Sequence, residues 1–135
     1  MTEKELISLA QNAMAQAYAP YSGCSVGAAL LCGSGRVYVG CNIENASFTP
    51  TVCAERTAFF TAVSEGERSF VMIAVAGGKN GEVKEAFTPC GVCRQVMAEF
   101  CGPDFVILTA LDGGKYDKHT LGELLPFAFS PERVK

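Results

Sequence analysis

The chain has 135 residues, 49% hydrophobic and 19% charged, with a net charge of -3 at neutral pH. That length suits one compact domain with a real core, and the composition is globular, not disordered. Mild acidity without any basic run weighs against a nucleic-acid backbone as partner, and no apolar stretch has the length of a membrane span.

The N-terminus, MTEKELISLA, lacks the basic-then-apolar pattern of a secretion signal. The seven cysteines are therefore expected to be reduced thiols of a cytoplasmic protein, and their odd count fits poorly with a complete disulfide set.

Residues 2–18 are predicted as an amphipathic helix. Thr2 and Glu5 have capping-box positions, and Leu6, Leu9, Ala10, Ala13, Met14 and Ala17 share one face before Pro20 stops it. Two strand-like runs follow, VGAALL (26–31) and RVYVGC (36–41), joined by the glycine-containing turn CGSGR. NIENASFTPTV (42–52) has no apolar period and is expected to be irregular. A helix is predicted from 53 to about 64, ending near Gly66. FVMIAVAGG (70–78) and FVILTA (105–110) are continuous apolar runs, as in strands buried on both faces. A helix from about 90 to 100 separates them, with Thr88 as its expected cap and Pro89 at its first position. DGGK marks a turn, and a short helix around 120–125 precedes the tail. Strands alternating with helices predict one α/β domain over residues 1–135, a sheet covered by helices.

The chemistry concentrates in two short stretches, TVCAERTAFF (51–60) and TPCGVCRQV (88–96). Cys90 and Cys93 lie three apart at a helix start, so both sulfurs can reach one point, and the helix N-terminus favours their anionic forms. Taken alone, the pair is a redox dithiol, half of a zinc site, or two small residues in a packed turn. Cys53 opens the other helix, and a third thiolate converging on the pair would leave a zinc ion one open position, the pattern of catalytic zinc. Glu55, two residues after Cys53, would then be held close enough to move protons without ligating. Without its neighbours, Glu55 would read simply as an acid favoured in a first helical turn.

C-A-E followed by P-C-G-V-C resembles the signature of the zinc-dependent cytidine deaminases. The similarity extends through YAPYS, GAALL, NIEN, CAERTA, PCGVCRQV and ELLPFAF, nearly the whole chain, and it resembles the small nucleoside-specific branch. The resemblance implies a three-layer α/β/α domain with a mixed central sheet, and hydrolysis of cytidine and 2'-deoxycytidine to uridine and 2'-deoxyuridine plus ammonia, in pyrimidine salvage. It implies one Zn²⁺ per chain on Cys53, Cys90 and Cys93, with Glu55 shuttling protons.

Further roles follow from the same resemblance. Asn42 and Glu44 would hold the ribose hydroxyls, and the backbone at Ala54 would meet the base. Arg56 and Arg94 directly follow the two motifs and could offset the negative charge of three thiolates on zinc, a role the resemblance supports most clearly for Arg56; Arg94 also reads as a solvated helix residue. Phe129 would reach the pocket of a neighbouring subunit in a homotetramer, stacking on or flanking the pyrimidine. Cys24 stands where relatives usually carry a bulky aromatic beside the base, and Phe48 where many carry tyrosine. Cys24 therefore keeps a modified nucleoside open as the substrate. His119, the single histidine, is expected at the surface or as a helix cap, and Cys32, Cys41 and Cys101 as small buried residues. Two other classes remain to be weighed: a closed structural zinc module using a fourth thiol such as Cys101, which would not need Glu55, and a polynucleotide-editing deaminase, which the acidic charge disfavours.

Overall fold

A computed structural model describes residues 1–135. Five strands form one sheet: β1 (Cys24–Cys32), β2 (Val37–Cys41), β3 (Phe70–Lys79), β4 (Val106–Ala110) and β5 (Tyr116–Thr120). Their order is β2-β1-β3-β4-β5. Only β3 and β4 run parallel. The other neighbours are antiparallel, so the sheet is mixed, as expected.

Strand alternation sorts the core onto two faces. On one face, Ala29, Ala74, Ala76, Leu108 and Ala110 pack beneath α1 (Glu3–Ala13), which contributes Leu6, Ile7 and Ala10. On the other, Ala28, Leu30, Ile73, Val75 and Ile107 lie beneath α2 (Ala54–Ser64) and α3 (Gly91–Phe100). Phe59 anchors that second layer, with its ring 5.1 Å from Phe70 and 5.9 Å from Phe105. The result is the three-layer α/β/α arrangement.

The first helix is shorter than its apolar period suggests. It ends at Ala13 and tightens into a 3₁₀ turn over Met14–Gln16. Thr2 does cap it, accepting from the Glu5 N–H. The sequence reading missed β5. YDKHT has no apolar run because it is an edge strand paired only with β4. His119 lies within this strand, opposite Ile107, and the cap of α4 (Leu121–Leu124) is Thr120, in a full capping box with Glu123.

Gly40 sets the height of α2 over the sheet. A β-carbon there would lie 2.5 Å from the Ala54 carbonyl oxygen and 2.6 Å from the Ala58 nitrogen. Glycine therefore lets the first turn of α2 rest directly on β2, and that turn carries Cys53 and Glu55.

Candidate active site

Two helix N-termini meet beside the sheet. Cys53 is the N-cap residue of α2 and Cys90 that of α3, both in extended backbone conformation. Neither side chain caps its own helix, so both thiols are free to turn toward each other. α3 starts later than the sequence suggests. Thr88 and Pro89 stay outside it, because the first helical hydrogen bond runs from the Arg94 N–H to the Cys90 carbonyl. Cys93 follows one turn on and is buried.

The three sulfurs lie within 4.8 Å of one another, with Cys53 Sγ 3.7 Å from Cys90 Sγ and Cys90 Sγ 3.4 Å from Cys93 Sγ. Sulfurs sharing a tetrahedral zinc sit about 3.8 Å apart, given Zn–S bonds of about 2.3 Å. The donor set therefore fits a single Zn²⁺. The Arg56 guanidinium donates to Cys53 Sγ at 3.4 Å. The Cys53 thiol is drawn down to about 5 by the hydrogen bond with Cys93, helped by Arg56 and Cys90. Cys93 moves the other way, because it keeps the proton shared with Cys53 and is buried.

Glu55 is only 4% exposed. Burial pushes its carboxyl up to about 7, in the range where an acid can both take and give a proton near neutral pH. A chamber of about 250 Å³ opens in front of it, and Asn42, Glu44, Cys53, Ala54 and Cys90 line it together with Glu55. The structure thus brings together all three proposed zinc ligands, two of which line the chamber with the proposed acid-base group and with Asn42, Glu44 and Ala54. Three cavities are larger: one of about 680 Å³ against α4 and the C-terminal tail, and two that adjoin the chamber, one of about 370 Å³ through Glu44 and Thr51 and one of about 380 Å³ through Phe87.

Asn42 is a buried bridge. Its Oδ1 accepts from the Val26 N–H at 2.9 Å, and its Nδ2 donates to the Cys24 carbonyl at 2.8 Å. Glu44 Oε1 accepts from the N–H groups of Tyr21 and Ser22, and Oε2 from the Ser22 hydroxyl. That hydroxyl leads the contacts holding the Glu44 carboxyl below the usual range. Both side chains are thus fixed among the residues that line the chamber.

Two expected positions, Arg94 and Cys24, come out differently. Arg94 does not reach the sulfurs: its Nε donates to the Pro89 carbonyl and its Nη1 to the Leu124 carbonyl, each at 2.6 Å. The cause is helical geometry, since the residue after Cys93 is rotated by about 100° from it. Cys24 does not line the chamber. It borders a neighbouring cavity of about 380 Å³, shared with Phe87. Phe129 is 62% exposed on the tail and lines no part of this chain's own chamber. Sequence reasoning also missed Phe87, which does line it.

Among the remaining thiols, Cys32 is buried while Cys41 and Cys101 are half-buried. Burial pushes Cys32 up to about 11 and Cys101 up to about 12, which keeps both unreactive.

A thiol cluster between two helix ends, with a buried carboxylate alongside, is a catalytic type of zinc centre. The model of the cytidine and deoxycytidylate deaminase zinc-binding region matches residues 1–109. A cytidine deaminase of Sporosarcina psychrophila is 48% identical over 132 residues, 98% of this chain and 94% of its own length. One from Halalkalibacterium halodurans is also 48% identical, covering 98% of this chain and 97% of its own. The crystal structure of cytidine deaminase from Burkholderia pseudomallei superposes with a TM-score of 0.88 at 44% identity, over 96% of this chain and all of that one. The chain belongs to the cytidine and deoxycytidylate deaminase family.

Proposed function

We propose that this chain hydrolyses cytidine and 2'-deoxycytidine to uridine and 2'-deoxyuridine, releasing ammonia, as a step of pyrimidine salvage. The observation that carries the proposal is the buried Glu55 in a nucleoside-sized chamber next to the Cys53–Cys90–Cys93 cluster. Zinc held by those three sulfurs supplies Lewis acidity, which makes water a nucleophile near neutral pH.

Glu55 takes a proton from the attacking water and delivers it to N3 of the cytosine ring. As the water oxygen bonds to C4, Glu55 takes the second proton from the new C4 hydroxyl and passes it to the exocyclic amino group, and the C4–N bond breaks to release ammonia. An amine is a poor leaving group until it is protonated, so one carboxylate facing both the water and the ring serves each step. Burial of Glu55 excludes bulk water from that exchange. Asn42 and Glu44 orient the ribose at the chamber mouth, and Ala54 presents backbone groups to the base. Arg56 offsets the thiolate charge through its bond to Cys53 Sγ.

Residues 1–135 act as one catalytic domain in this reading, supported by a single sheet that joins both cores. The assembly proposed is a homotetramer in which Phe129 of one subunit completes a neighbour's site. Exposure of Phe127 and Phe129 on the tail supports it. Cytoplasm is the compartment proposed, in keeping with seven free thiols. No helix is long and apolar enough to cross a membrane.

The test is ultraviolet absorbance of cytidine and 2'-deoxycytidine incubated with the purified protein, with a cytosine-bearing nucleoside antibiotic in parallel. Conversion of the cytosine band of the two simple nucleosides is the expected outcome. Turnover of the antibiotic alone would replace the substrate assignment.

A further inference from the structure

We propose that Phe87 is the aromatic wall of the pyrimidine pocket in this chain, standing in the space that a bulky residue at position 24 would otherwise fill. The inference rests on the chamber being the nucleoside site.

Val26 on β1 lies opposite Gly77 on β3, and Cys24 lies opposite Lys79. Residues two apart on a strand share a face. Cys24 and Val26 therefore lie on the face of Ala28 and Leu30, and Gly77 and Lys79 on that of Val75. This is the face that α2 and α3 cover. Along it, Gly77 is a gap in the carpet of side chains. A β-carbon there would lie 2.5 Å from Cδ2 and 2.8 Å from Cγ of the Phe87 ring. The ring lies in that gap.

From there Phe87 borders two spaces. One is the chamber with Glu55, Cys53 and Cys90. The other is the cavity that Cys24 borders. Phe87 is thus a partition between position 24 and the chamber. It is also the sole aromatic among the 12 residues that line the chamber. A cytosine ring is flat, with apolar faces, and stacking on an aromatic side chain holds such a ring without reading its edges. Position 87 is also three residues before Cys90, so the wall is tied to the metal cluster through Thr88 and Pro89.

This arrangement makes positions 24 and 87 compete. A phenylalanine at 24 would project toward the space Phe87 fills, and the small thiol of Cys24 is what leaves the ring room. The two residues should therefore couple strongly and with opposite sign, unlike sites that act independently.

The experiment measures KM and kcat for cytidine, and the Kd of uridine by calorimetry, with zinc content on each sample. The variants are Phe87→Ala, Phe87→Leu, Phe87→Tyr, Cys24→Phe and the Cys24→Phe/Phe87→Ala double. Phe87→Ala should raise KM and the uridine Kd about tenfold, the usual effect of losing one base-stacking ring. Its kcat should change less than KM does, and zinc should stay at one per chain. Phe87→Tyr should keep the wild-type KM. Cys24→Phe alone should raise KM, and adding Phe87→Ala to it should bring KM back toward the wild-type value.

An unchanged KM in Phe87→Ala, or single effects that simply multiply in the double variant, would overturn the proposal. If Phe87→Ala loses zinc or its melting transition, Phe87→Leu decides: a wild-type KM there means that bulk, not the aromatic face, is what position 87 supplies, and the proposal fails. A wild-type protein that deaminates no cytosine nucleoside would instead remove the substrate assignment itself, and this inference with it.

Discussion

At the scale of residues, the roles that spacing could reveal are those carried by local backbone geometry. Cys90 and Cys93 share the first turn of α3, and Glu55 is two residues from Cys53, so the sequence alone brings each pair together. Long-range contacts were not legible. Phe87 matters because it lies over Gly77, a partner ten residues away on another element. Arg94 was misread for the opposite reason: adjacency to Cys93 in sequence places it on a different side of the helix. Its two carbonyl partners tie the Pro89 turn to the segment after α4. Arg94→Ala should therefore lower the melting temperature, with a loss of roughly 1–3 kcal/mol from the two unpaired carbonyls. Its zinc content and the pH dependence of kcat should match the wild type. A stable variant with altered metal affinity would return Arg94 to the zinc centre.

At the scale of elements, the strongly apolar strands β1, β3 and β4 were readable because burial on both faces removes the need for polar alternation. β5 was not, because a charged edge strand is defined by its neighbour and not by its own pattern. The contact of α2 with β2 was likewise hidden, since a glycine shows no preference for what it touches. It sets the site nonetheless. Gly40→Ala would drive a methyl group into backbone atoms of Ala54 and Ala58, which cannot rotate away as a side chain would. We expect a loss of about 1–3 kcal/mol, or roughly 5–10 °C in melting temperature, together with weaker zinc retention, because Cys53 and Glu55 ride on the displaced turn. Scanning calorimetry and competition with a chelator would measure both. A Gly40→Ala protein that melts and holds zinc like the wild type would show that the helix can move without disturbing the cluster.

At the scale of the whole molecule, the metal joins two helices from separate parts of the chain, so it should contribute to stability as well as to chemistry. A ligand that binds only the folded state stabilises it by mass action, about 4 kcal/mol at a thousand times its Kd. Removing zinc with a chelator should lower the melting temperature by on the order of 10 °C and abolish turnover, and added Zn²⁺ should restore both. Phe129 is exposed on the isolated chain, and its carbonyl is fastened to α3 by Gln95, which holds the segment outward in a defined position. If a neighbouring subunit receives it, light scattering should give a mass of four chains, and Phe129→Ala should raise KM without changing zinc content. A fully active monomer would remove Phe129 from the site.

Ammonia release from cytidine, with zinc counted on the same sample and wild type set against Glu55→Gln, tests whether Glu55 moves the protons of a zinc-dependent deamination. The amide has nearly the shape of the carboxylate and cannot accept the proton. The expected result is one zinc per chain in both proteins, with kcat reduced by roughly 10²- to 10⁴-fold in the variant. Equal turnover by the two proteins, with zinc present in each, would remove Glu55 from the proton transfer.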